Sequence, residues 1–245
     1  FVASAGSASQ IACAAGTYQP STGQTSCTDA SAGYYVSSNA STSQTACSAG
    51  SYQGNTGQSS CTDASAGYYV PTTAATAQTA CAAGTYNPDT ASTSSTACTA
   101  TSAGYYSSAG AASQTACAVG TYQPSAGQSS CADASPGYYV PDTGSTTQTA
   151  CSPGSYQSMM GQPSCLLASL GNYVDTSAAI DQTPAAAGHY VNTTGATDDV
   201  ACSAGTYQPN TGQTSCLDAD AGHYVDASGS ATQTPCSAGT YQPST

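Results

Sequence analysis

A tripeptide, Gly-x-Tyr, recurs fourteen times along the chain, from Gly16-Thr-Tyr18, Gly33-Tyr-Tyr35 and Gly50-Ser-Tyr52 to Gly239-Thr-Tyr241. Successive glycines lie 17 residues apart except at two steps: Gly84 to Gly104 is three residues longer, and Gly104 to Gly120 is one shorter. A period this short cannot enclose a globular core, so the chain must gain order by repeating one small supersecondary element. Repeats begin near residues 13, 30, 47, 64, 81, 101, 117, 134, 151, 168, 185, 202, 219 and 236, and read as one continuous array over residues 1–245.

Two kinds of repeat are present. One opens Cys-x-x-Gly-Thr/Ser-Tyr-Gln/Asn and closes with a second Cys, as from Cys13 to Cys27; the other has no Cys, as from Ala30 to Gln44. They alternate, giving a visible period of 34, until two cysteine-free repeats follow one another at Ala168 and Ala185. Composition shows why cysteine matters. Val, Leu, Ile and Phe together make up about 7% of the chain, against the roughly 20% that an ordinary core requires. Something other than a large apolar interior must order it.

The repeat decides the cysteine pairing. Occupied slots come two to a repeat: Cys13 with Cys27, Cys47 with Cys61, Cys81 with Cys98, Cys117 with Cys131, Cys151 with Cys165 and Cys202 with Cys216. Vacant slots come two to a repeat as well, Ala30 with Gln44, Ala64 with Gln78, Ala168 with Gln182 and Ala185 with Asp199 among them. Bridges within a repeat produce that pattern. The rival scheme, Cys27 to Cys47 and onward, breaks where the two cysteine-free repeats would force Cys165 to reach Cys202. Cys236 is left over because its closing slot falls beyond Thr245, so the sequence reads as a segment of a longer array. Each bridge closes a loop of about 15 residues and is worth about 3 kcal/mol in chain-entropy terms. Zinc is the competing use of paired cysteines, but it favours closer spacings with His nearby, and no C-x-x-C occurs. Disulfides imply a secreted or surface location.

The string Cys13-Ala-Ala-Gly16-Thr-Tyr18, continued by Gly23-Gln-Thr-Ser-Cys27, resembles the cysteine-rich repeats of the ephrin-receptor-like type, related in style to EGF and TNF-receptor modules. In that family the second Cys of one unit is followed three residues later by the first Cys of the next. This chain keeps the spacing, Cys27 to Ala30 to Gly33-Tyr-Tyr35, with Ala in the second place. The resemblance covers nearly the whole chain and implies a small disulfide-rich fold found in receptors, adhesins and structural fibres.

The Gly of each repeat suits a turn with φ > 0 or a close backbone approach, and the x-Tyr that follows reads as a short strand. Each Tyr is expected to cover the bridge or a neighbouring Gly, its hydroxyl at the surface. Cysteine-free repeats usually carry a second Tyr (Tyr34, Tyr68, Tyr105, Tyr138) and then Val, extra apolar area in place of a bridge. His189 and His223 occupy that second-Tyr slot and read as substitutions within the repeat. No nucleophile, base and orienting group stand together, so the chain reads as non-catalytic, without metal or cofactor. Asp29, Asp63, Asp133 and Asp218 recur two residues after a Cys and read as Asx turns, too sparse for calcium with its six to eight oxygen ligands.

Two N-glycosylation sequons are present, Asn39-Ala-Ser41 and Asn192-Thr-Thr194, both in loops of cysteine-free repeats. Covalent carbohydrate is therefore an expected partner. A net charge of −12 without one Lys or Arg excludes binding to a nucleic-acid backbone, which needs cations to displace counterions. No stretch is apolar enough to insert in a membrane. Met159, Met160, Leu166, Leu167 and Leu170, with Ile180, gather most of the large aliphatics. They read either as local compensation for missing bridges or as a contact patch for another subunit.

The fold expected is all-β, small and disulfide-rich: an elongated tandem array of 17-residue hairpin-like repeats, paired to a period of 34, each touching mainly its neighbours. The function expected is that of an extracellular structural protein forming or decorating a surface fibre or flagellar-hair-like appendage, self-associating or joining other fibre subunits. The alternative is the stalk of a receptor or adhesin. A third class, an ice-binding solenoid, is suggested by Thr45, Thr79, Thr115, Thr149, Thr183 and Thr234, but lacks Thr-x-Thr ranks.

Overall fold

A computed structural model describes residues 10–240; Tyr241 of the last tripeptide lies outside the described residues. Each repeat folds as one antiparallel hairpin of two very short strands. The first joins β1 (Thr17–Tyr18) to β2 (Thr28–Asp29), the second β3 (Tyr34–Tyr35) to β4 (Thr45–Ala46), and thirteen such two-stranded sheets are present among the described residues. The register is constant: Tyr18 lies opposite Thr28, Tyr35 opposite Thr45, and Tyr190 opposite Val200.

The Gly sets the hairpin's entry. Gly16 has φ +89° at the third residue of a turn closed by the Thr17 N–H donating to the Ala14 carbonyl at 3.0 Å. That φ suits a residue without a Cβ. The Thr17 hydroxyl donates to the same carbonyl at 2.9 Å, and Ser51, Thr85 and Thr206 repeat the bond.

Hairpins are joined by backbone hydrogen bonds rather than by shared sheets. The Gly16 N–H donates to Val36 O of the next repeat, Gly33 to Gln53 and Gly50 to Val70, all at 2.7–2.8 Å. In return Ala40 donates to Cys13 O, Gly57 to Ala30 O and Ala74 to Cys47 O, each at 2.8 Å. Contact also reaches the repeat after next. A Cβ built on Gly16 would stand 2.2 Å from the carbonyl oxygen of Gly57. The expectation that repeats touch mainly their immediate neighbours is thus too narrow: a hairpin this thin leaves room for the second neighbour to rest on its turn.

The interior is small and regular. It consists of the opening residue of each repeat, Cys13, Ala30, Cys47, Ala64, Cys81 and their equivalents, and of the residue after Tyr, chiefly Val36, Val70, Val140, Val174 and Val191. By contacts the described residues form two compact bodies, one running up to Ala116 and including Ser125–Cys131, the other made of Cys117–Pro124 and the stretch from Ala132 onward. The irregular steps fall in the first. The three extra residues are absorbed by a 3-10 turn, Ser95–Ala97, capped by the Ser94 hydroxyl, which accepts from the Thr96 N–H. The stacking contact persists on both sides of it, Gly50 against Ala91 O and Gly67 against Gly110 O.

Candidate functional site

The recurring site of this molecule is the slot that closes each repeat. In cysteine repeats it holds a disulfide. Cys13–Cys27, Cys47–Cys61, Cys151–Cys165 and Cys202–Cys216 join residues 14 apart, and Cys81–Cys98 residues 17 apart, with Cα atoms 5.7–5.8 Å from each other. Cys117 and Cys131 are disulfide-bonded as well. Cys236 is a free thiol of intermediate exposure.

The cysteine-free slots are not vacant. The Gln44 side-chain oxygen accepts the Ser31 N–H at 2.7 Å, tying the closing slot to the residue beside the opening slot. Gln78 does the same to Ser65, Gln114 to Ser102, Gln148 to Ser135, Gln182 to Ser169 and Gln233 to Asp220, at 2.7–2.8 Å. Where Asp199 replaces Gln, its carboxylate accepts the Ala186 N–H at 2.8 Å. Among the described residues a side chain thus closes each of the cysteine-free repeats, in the place where a thiol would stand. The signal was in the sequence, as Gln recurring in six closing slots; counting cysteines reads it as absence.

A second set of amides braces the bridged loops. Gln53 Nε2 donates to Ser60 O at 2.9 Å while its Oε1 accepts the Asn55 N–H at 3.1 Å. Gln157 and Gln208 repeat this pair of bonds. Asn87 is fully buried and donates to Tyr68 O and the Ser92 hydroxyl. These are polar groups in an interior, each with its partners made, as burial demands.

Other residues singled out by sequence are scattered. Asp29, Asp63, Asp133 and Asp218 are strand residues, not Asx turns: each pairs across its hairpin with a Thr or Ser of the opening strand. The Asp29 carboxylate packs over Gly57 two repeats on, about 3.5 Å from where a Cβ would stand. Tyr68 covers Gly110 in the same fashion. The Thr ranks face Tyr across each hairpin, as Thr45 faces Tyr35 and Thr79 faces Tyr69. His189 Nδ1 lies 3.4 Å from Ala187 O, and His223 Nδ1 is buried without a partner. Among the described residues no three His, Cys, Asp or Glu group as metal ligands would. The Tyr173 phenol is pushed above its ordinary pKa by partial burial first, then by the charges of Asp199, Asp175 and Asp198.

The aliphatic cluster is turned outward. Met159 is 58% exposed, Met160 62%, Leu166 48%, Leu167 64% and Leu170 52%. Leu167 packs over Gly195 of a cysteine-free repeat, its Cδ2 3.4 Å from where a Cβ would stand, a contact of the compensating kind, while most of the cluster's apolar area is turned to solvent. Val200 and Leu217 are exposed too; they hold the same strand place as Leu166, opposite a Tyr. Asn39 and Asn192 lie exposed in loops. No helix among the described residues is long and apolar enough to cross a membrane.

Residues 104–151 match the family model described as tyrosine-protein kinase ephrin type A/B receptor-like. No curated protein matches the chain. The matched stretch holds one bridged repeat between two cysteine-free ones, and the same pattern runs on either side of it. The chain is an all-β tandem array of short cysteine-rich repeats, similar over residues 104–151 to that receptor-like family.

Proposed function

We propose that this chain is an extracellular structural protein, without catalytic chemistry of its own, that forms or decorates a surface fibre or appendage by associating with copies of itself or with other fibre subunits. The observation that carries the reading is the outward set of Met159, Met160, Leu166, Leu167 and Leu170 on a molecule whose buried hydrophobic residues are Cys, Ala and Val. Exposed aliphatics grouped in this way mark association surfaces, and Met adapts its shape to a partner. The repeated backbone ladder supports a load-bearing role, because separating two repeats breaks several hydrogen bonds together.

The test is electron microscopy and sedimentation of the secreted, oxidised protein beside its Leu167→Asp variant. The reading expects concentration-dependent ordered polymers from the parent and dispersed particles from the variant, with the bridges intact in both. Monodisperse monomers of the parent at every concentration overturn it. A receptor-like match at residues 104–151 favours a second reading, a stalk presenting a binding head, and monomers are what that reading expects.

A further inference from the structure

We propose that Asn192 is an N-glycosylation site whose first sugar seats in a preformed cup against Tyr190. This deepens the extracellular reading and rests on it. The cup is an open cavity of about 270 Å³ between two adjacent repeats, and Tyr190, Asn192, Ser203, Thr206, Thr214 and Ser215 line it. Its volume lies just under the roughly 300–1,000 Å³ of small-molecule sites, room for one sugar ring rather than a chain of them.

The lining has the chemistry of a neutral, polyhydroxylated ligand. Tyr190 supplies one flat apolar face, to which a pyranose ring can present its C–H side. Ser203, Thr206 and Thr214 supply hydroxyls, and none of the lining groups named is charged. The Thr206 hydroxyl already donates to Ser203 O at 2.8 Å, which leaves its oxygen free to accept from a sugar hydroxyl. Asn192 is exposed and stands two residues after Tyr190, in the loop place that Pro71 and Pro141 hold in other repeats. Asn39 is placed differently. It lies further along its loop, and its side-chain oxygen accepts the Ala15 N–H at 2.9 Å.

The covalent step needs a lipid-pyrophosphate-linked oligosaccharide and its transferase, the co-reactants of the secretory route. Asn192 Nδ2 attacks C1 of the first sugar. The N–C1 bond forms as the C1–O bond to pyrophosphate breaks, the lipid pyrophosphate departs with that electron pair, and one Nδ2 proton passes to the transferase. No oxidation or reduction is involved.

The protein secreted from a eukaryotic host, mapped by mass spectrometry after enzymatic deglycosylation in heavy-oxygen water, reads occupancy at each Asn. Asn192 is expected to be occupied and to become unoccupied in Thr194→Ala. Tyr190→Leu, which keeps an apolar side chain opposite Val200, tests the cup. In the parent, protons of the first sugar are expected to shift upfield under the ring, and deglycosylation to lower the melting temperature; in Tyr190→Leu both effects are lost. Secreted protein with Asn192 bare overturns the proposal while leaving the extracellular reading intact, whereas failure to be secreted or to form disulfides overturns the reading beneath it. An occupied Asn192 whose sugar shows neither shift nor stabilisation overturns the cup.

Discussion

At the glycine of each Gly-x-Tyr two demands meet in one residue. Gly33 has φ +85°, and a Cβ there would stand 2.2 Å from the carbonyl oxygen of Ala74. The left-handed backbone alone costs an alanine about 1–2 kcal/mol, and displacing a backbone contact adds to it. Gly33→Ala is expected to lose about 3 kcal/mol or more. The turn it rests on has the reverse fault. Ala74 itself sits at φ +56°, in a place that Gly57 and Gly144 hold elsewhere. Ala74→Gly is expected to gain about 0.5–1 kcal/mol, strain relieved less the entropy returned to the unfolded chain. Denaturant titration of the two variants measures both signs; a Gly33→Ala protein as stable as its parent contradicts the close approach.

At the scale of the hairpin, closure is the variable. A bridge contributes about 3 kcal/mol, and a single amide hydrogen bond about 1 kcal/mol. The two consecutive cysteine-free repeats from Ala168 to Ala201 are therefore where the array is held most weakly. Gln182→Ala is expected to destabilise by about 1 kcal/mol. Ala168→Cys with Gln182→Cys is expected to oxidise spontaneously and to stabilise by about 2 kcal/mol net, read by thermal unfolding with and without reductant. Failure of that bridge to form contradicts the equivalence of the two slots. Much of this element was legible beforehand. The Gly-x-Tyr spacing gave the strand that begins each hairpin, and paired occupancy of the slots gave the bridges. The recurrence of Gln in the closing slots was visible too, but not its role, because a hydrogen bond to a backbone N–H names no partner residue type at the other slot as a second cysteine does. The recurrent Asp was misread for a related reason: a short polar residue beside Cys suits a turn, and only the hairpin register puts Asp29 opposite Thr17 in a strand.

For the molecule as a whole, the sequence foresaw the tandem all-β array but not how far each repeat reaches. Contact with the second neighbour, Gly16 against Gly57 and Gly171 against Gly212, depends on backbone approach, which side-chain patterns do not encode beyond the presence of Gly. Nor could composition say which way Met159 and Leu167 point. The account therefore rests on local closure of each repeat, bridge or amide, with backbone hydrogen bonds carrying order from one repeat to the next. Chymotryptic mapping of the unreduced protein tests this most directly, since cleavage after Tyr18, Tyr34, Tyr35 and Tyr52 places Cys13, Cys27 and Cys47 on separate peptides. The account predicts that the peptide ending at Tyr18 is linked to the one carrying Cys27, and that the same holds for every bridged repeat. A peptide carrying Cys27 linked to the one carrying Cys47 would contradict it.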